Sequence, residues 1–229
     1  MKGMLVSLLL HPDTFFSERI KEPEDLKIPG IIVIIGAIIA AVGSYLLSGL
    51  YEGLYTAAAG EGMSSLLGIF GVVSGFFAFI LIWWVIFSGI FYLLSMAFSG
   101  TGTFRRTLEF AGYGLVPVII GSVISVLLSF YYLPMIEVPV ISNIQDPAAV
   151  QRFMSGILED PAFREFTQLS AVISVVFLAW SANLWIFAIK HARALSFRNA
   201  IIVVLIPVAI FAIYTLYMAF SGTLFPGGS

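Results

Sequence analysis

A chain of 229 residues that is 60% hydrophobic and 10% charged, with a mean hydropathy of +1.04, cannot face water on all sides, because soluble domains carry about 25% charged residues. Its solvent is a bilayer. The net charge of −2 offers no field toward nucleic acid, and the lack of cysteine excludes disulfides, thiolate metal ligands and cysteine nucleophiles.

Residues 1–28 open with a short apolar run and continue as "HPDTFFSERIKEPEDLK". Pro12 suits a first helical position. Phe15, Phe16 and Ile20 fall on or near one face with Asp13, Ser17 and Glu18 elsewhere, which predicts an interfacial helix lying on the cytoplasmic leaflet. The run has no small-x-small cleavage site, so it is not read as a leader.

Residues 29–229 form the membrane domain. A helix needs about 20 apolar residues to cross a hydrocarbon core, and five runs supply them: 29–50, 65–98, 110–132, 169–189 and 200–220, none with a charge in its interior. The second run is overlong and must tilt, project or bend, with Gly68, Gly71 and Gly75 as a bend or a close-packing face. The third and fifth each hold a proline, Pro117 and Pro207, as a tolerated kink or a gate.

Two turns share a pattern, "TFRRTL" before the third run and "SFRNAI" before the fifth. Thr103 and Ser196 are placed to cap the helices that follow, and Arg105 and Glu109 are spaced to pair. The repeat predicts two helical hairpins in the same orientation, with the third and fifth spans packed quasi-equivalently. Between the third and fourth runs, residues 133–167 carry two Asp-Pro helix starts, at Pro147 and Pro161, the second running into the fourth span. Glu137, Asp146, Glu159, Asp160 and Glu165 make this external lobe acidic.

Orientation follows from lysine and arginine in the flanks. Lys2, Arg19, Lys21, Lys27, Arg105, Arg106, Lys190, Arg193 and Arg198 lie on one side, against Arg152 and Arg164 on the other. The N-terminus is expected in the cytoplasm and the C-terminus outside. The fold class is all-α: a polytopic integral membrane bundle with five transmembrane helices, an N-terminal interfacial helix and short external helices.

The chain holds no H-E-x-x-H, no G-x-S-x-G, no phosphate-loop motif and no intramembrane aspartate pair, and His11 and His191 sit in flanks. No cofactor and no catalysis are expected. Asn183 is the deepest polar side chain, suited to an interhelical bond or to a substrate. Trp180 and Trp185 read as packing or interface anchors.

These motifs resemble the Yip domain family, membrane proteins that interact with Ypt/Rab GTPases. The matching positions are Pro12 and Phe16 before the first span, and Gly100, Gly102, Thr103, Phe104, Gly112, Tyr113 and Pro117 around the second-to-third turn. Trp180, Ser196 and Pro207 match in the fourth and fifth spans. The resemblance implies five spans and a cytoplasmic N-terminus, in agreement with the charge count. Eukaryotic relatives work in vesicle trafficking; this chain's N-terminal region of about 28 residues looks like that of a prokaryotic member, in a cell membrane.

The reading that follows is a scaffold or adaptor binding membrane lipids or a membrane-protein or GTPase-like partner, through Arg105, Arg106, Lys190, Arg193 and Arg198, with His191 beside them. The alternative is a carrier, channel or lipid transporter with a cavity reaching the midplane near Asn183. Gly49/Gly53 and Gly71/Gly75 have dimerisation spacing, compatible with a homo-oligomer, a hetero-oligomer or internal packing.

Overall fold

Hydrocarbon offers no partner to backbone N–H and C=O groups, so apolar runs of this length must close their bonds within helices. The computed structural model describes residues 2–141 and 143–221, and all regular structure among them is helical. In chain order the helices are α1 (Lys2–Leu10), α2 (Pro12–Arg19), α3 (Lys27–Ser48), α4 (Glu52–Ala59), α5 (Glu61–Ala78), α6 (Phe87–Met96), α7 (Phe104–Tyr113), α8 (Val116–Tyr132), α9 (Pro147–Glu159), α10 (Pro161–Ala192) and α11 (Phe197–Phe220). A 3-10 turn, Gly49–Tyr51, joins α3 to α4, and a π-helical stretch, Phe79–Ile86, joins α5 to α6.

Among the described residues, five stretches are long and apolar enough to cross a membrane: Lys27–Ala58, Ser65–Met96, Val116–Met135, Pro161–Ala192 and Phe197–Phe220. The expected five-span bundle stands. Helix α10 is its axis, packing on α11, α8, α7 and α2, while α3 packs on α5 and α8. At one end, called here the turn end, lie α1, α2, α7 and the turns before α7 and α11. At the other, the lobe end, α9 folds back so that Phe153 and Ile157 meet Leu50, Ile136 and Phe163.

Both Asp-Pro starts form as the sequence indicates. Asp146 accepts from the Ala148 N–H at 3.0 Å and opens α9; Asp160 accepts from Ala162 and Phe163 at 2.8 and 3.1 Å and opens α10, which runs on as the fourth span. Lipid chains are as apolar as leucine, so the spans associate through close packing. A Cβ on Gly75 would strike Ser44 and come within 3.0 Å of the Ala40 carbonyl, and one on Gly121 would meet Phe177 at 2.9 Å.

Several expectations are corrected or narrowed. The third span does not begin at Phe110: the chain breaks between α7 and α8, and Pro117 sits in the first turn of α8 rather than inside a helix. Quasi-equivalence with the fifth span, where Pro207 is internal to α11, therefore fails at this point. The irregularity of the second span lies at Phe79–Ile86, one helical stretch beyond Gly68, Gly71 and Gly75. Of the two readings, close packing holds for Gly71 and Gly75, which face α3 at Ser48 and Ser44, whereas Gly49 and Gly53 face open space. Finally, part of the apolar surface of α1 and α2 is turned to the bundle. Leu8, Phe15 and Phe16 are buried against Phe110, Tyr113, Leu184, Ala188 and Ala192 of α7 and α10.

Candidate functional site

The repeated turn pattern builds one connected structure at the turn end. Helix α6 ends with Ser99 in the left-handed region (φ 58) and a bond from the Gly100 N–H to the Ser95 carbonyl at 2.9 Å. Helix α10 ends the same way, with Ala194 (φ 51) and a bond from Leu195 N–H to the Lys190 carbonyl at 3.0 Å. These are the six-to-one bonds of a Schellman cap, formed here without glycine at the left-handed position. The helices that follow are capped by Thr103, accepting from Arg106 N–H at 3.0 Å, and Ser196, accepting from Asn199 N–H at 3.3 Å. The internal repeat is thus real in the turns.

The first turn is the longer one, and its extra length holds a side chain from the second. Arg193, 2% exposed, donates from Nε to Ser95 Oγ at 2.7 Å, from one terminal nitrogen to the Gly100 carbonyl at 2.7 Å, and from the other to the Gly102 carbonyl. Its guanidinium lies 4.2 Å from the ring centroid of Tyr92, and the Thr101 N–H returns a bond to the Arg193 carbonyl at 3.0 Å. Gly102 has φ +97, and a Cβ there would sit 2.5 Å from the Ala192 carbonyl oxygen. Glycine is required at this position on both counts.

A second ionic cluster ties the N-terminal helices to α7. Glu109, with a side chain 0% exposed, accepts from Arg19 Nε at 2.9 Å and from Arg106 at 2.8 Å. Arg106 also donates to the Glu22 carbonyl at 2.6 Å. Burial pushes the Glu109 carboxyl up from its ordinary value, while the Arg106 and Arg19 guanidiniums oppose that shift. On the other side of α2, Asp13 meets Lys190 at 2.7 Å and His191 at 2.6 Å. Hydrogen bonds from Lys190 and then His191 hold the Asp13 carboxyl below its ordinary value.

The five basic residues expected to share one contact surface divide into two kinds. Arg106 and Arg193 are buried and committed to internal bonds, and Lys190 is half-buried on Asp13. Arg105 and Arg198 are exposed, each preceded by an exposed phenylalanine, Phe104 (38%) and Phe197 (48%). Glu109 pairs with Arg19 and Arg106, so the expected Arg105–Glu109 pair does not form. Asn183 is exposed on the outside of α10 and bridges no helices; the interhelical bond there is from Val118 N–H to Ser181 Oγ at 3.3 Å.

The remaining motif positions are structural. Pro12 opens α2 and is buried, and Phe16 lies 5.0 Å from Phe110, ring to ring. A Cβ on Gly112 would meet Pro29 at 2.8 Å, Tyr113 packs on Phe15 at 5.2 Å, and Trp180 is 38% exposed. The sequence alone marks Trp185 as a packing or interface anchor without its partner, and it does not single out Trp84. Trp185, 0% exposed, donates from Nε1 to the Ala111 carbonyl at 2.9 Å, and Trp84 donates to the Leu108 carbonyl at 2.8 Å, so two spans grip α7 through its backbone. Among the described residues no group of three or more His, Cys, Asp or Glu is placed to hold a metal.

Fold and turn end together define a multi-pass helical membrane protein most of whose lysines and arginines gather at the turn end. The chain matches the Yip1 domain over residues 6–218 and belongs to that family. It is similar to an uncharacterised protein of Methanocaldococcus jannaschii, 32% identical over 127 residues, which is 56% of this chain and 89% of the archaeal one. No solved structure matches the chain.

Proposed function

We propose that the protein is a non-enzymatic membrane scaffold that recruits a protein partner, membrane-embedded or GTPase-like, to the turn end of the bundle. In this reading the turn end is cytoplasmic, because nine of the 11 lysines and arginines lie there, and the membrane is a prokaryotic cell membrane. The observation that carries the proposal is the Arg193 clamp. By tying the two turns together it holds the exposed pairs Phe104-Arg105 and Phe197-Arg198 in a fixed relation. Arginine and aromatic side chains dominate protein interfaces, and presenting them rigidly lowers the ordering cost of binding.

The test is in-membrane crosslinking and mass spectrometry with the native chain and with Arg105→Gln/Arg198→Gln. These exposed arginines make no internal ion pair, so the variant should fold normally. Loss of a specific crosslinked protein in the variant supports the scaffold. Crosslinks to anionic lipid alone, or a partner retained by the variant, would reduce the two pairs to leaflet anchors.

A further inference from the structure

The structure assigns a second site, remote from the turn end and independent of the scaffold reading: a cleft among α3, α8, α10 and α11 that we propose binds a neutral lipid alcohol from the bilayer. An open groove of about 510 Å³ runs from Gly43 and Leu47 past Ser125, Ser129, Ser170 and Ser174 to Tyr214 and Met218. Cavities of roughly 300–1,000 Å³ suit small organic ligands. A smaller, less open pocket of about 190 Å³ adjoins it, bounded by Trp83, Gly121, Ser122, Leu178 and Phe211. Ser174 and Thr215 line both, so the groove leads into the pocket.

Hydroxyls recur along one face of each helix here, at Ser122, Ser125 and Ser129 on α8 and at Thr167, Ser170 and Ser174 on α10. Two of them, Ser125 and Ser170, have buried Oγ atoms with no hydrogen-bond partner, a costly arrangement in an apolar setting. Around the inner pocket the hydrogen-bonding sense is defined. Ser122 donates to the Val118 carbonyl at 3.0 Å and Thr215 to the Phe211 carbonyl at 2.9 Å. With their protons so committed, both oxygens remain as acceptors, and a ligand that reaches these two must donate to them.

Charge is excluded on the same grounds. No acidic or basic side chain lines either cavity, so an ionised head group would be desolvated without a counter-charge. The inner pocket has the volume of about six waters at ~30 Å³ each, enough for a glycerol-sized head, and the open groove takes the chain, with the ester that links a monoacylglycerol's head to its chain accepting from the unpartnered Ser125 and Ser170 hydroxyls. The occupant is therefore an uncharged amphiphile with hydroxyl at its tip, entering sideways from the membrane.

The probe is 1-monooleoylglycerol with a diazirine in its chain, added to the full-length protein in phosphatidylcholine nanodiscs. Saturable labelling of α8, α10 and α11 is expected, displaced by unlabelled monooleoylglycerol and about tenfold less well by methyl oleate, which cannot donate, or by oleate, which is charged. Removing hydroxyls with little change of shape, in Ser122→Ala/Ser174→Ala/Thr215→Val, should weaken labelling about tenfold. Ser174 is exposed, so Ser174→Trp should fold and abolish saturable labelling even if the triple variant does not fold. Equal competition by methyl oleate or oleate, or saturable labelling that survives Ser174→Trp, would overturn the assignment. Non-saturating labelling spread over the outward residues of the second span, or a pocket holding water only, would do the same.

Discussion

The contact between Trp185 and α7 depends on one interrupted backbone bond. At the end of α7 the Leu115 N–H bonds to the Gly112 carbonyl at 3.3 Å, one residue short of the helical partner, and the carbonyl thereby left over, Ala111, accepts the indole of Trp185 at 2.9 Å. Gly114 makes room, since a Cβ there would collide with the Trp185 ring. Gly114→Ala should therefore destabilise the protein by about 1–3 kcal/mol through overpacking, seen as a lower thermal midpoint in detergent, with a shifted tryptophan emission. An unchanged midpoint would mean that the ring is free to move. At Glu109, substitution by Gln leaves the buried Arg106 guanidinium without its counter-charge, while Arg19 keeps Glu22, at a cost of about 3–5 kcal/mol. A cycle with Arg19→Gln should show strong coupling; additive losses would make the cluster incidental. The sequence showed Gly112 and Tyr113 as motif positions and both caps as caps. It could not show that Glu109 would choose Arg19, 90 residues away, over Arg105 four residues away, because helical spacing ranks only local partners.

Among the elements, those announced by short-range chemistry were legible: the Asp-Pro starts of α9 and α10 and the capped starts of α7 and α11. The break before α8 was hidden in an unbroken apolar run, although Gly114 followed by Pro117 is a helix stop and restart in miniature. The placement of α1 and α2 was illegible for a different reason. An apolar face serves equally well against lipid or protein, and only the matching surface formed by Phe110, Tyr113 and Leu184 decides the matter. Docking of α2 also has a polar part with a pH dependence. Asp13 is held below its ordinary value of 3.8 by Lys190 and His191. A depressed carboxylate contributes stability that is present above its unfolded value and is lost as pH falls through the lower folded value. Asp13 is half-exposed, so the contribution is small and screened by salt. Hydrogen exchange in α2 should rise below about pH 4 before the spans unfold, and Asp13→Asn should show the faster exchange already at neutral pH. Exchange in α2 that tracks the spans at every pH would mean the apolar contacts alone hold it.

For the whole molecule, the turn end and lobe end are chemically different, and the difference should decide orientation during insertion. Lysine and arginine near span ends set topology while acidic residues contribute little. The ion pairs of Arg19 and Arg106 with Glu109 therefore do not cancel the bias, since insertion precedes packing. The absence of cysteine makes the prediction simple to test, because each single-cysteine variant reports one position. Arg105→Cys should react with a membrane-impermeant maleimide only after permeabilisation, and Arg152→Cys, at an exposed position of α9, in intact cells. The reverse pattern would put Phe104-Arg105 and Phe197-Arg198 outside. It would move the search for a partner to the opposite compartment and leave the lipid cleft, which opens nearer the lobe end, in the inner leaflet.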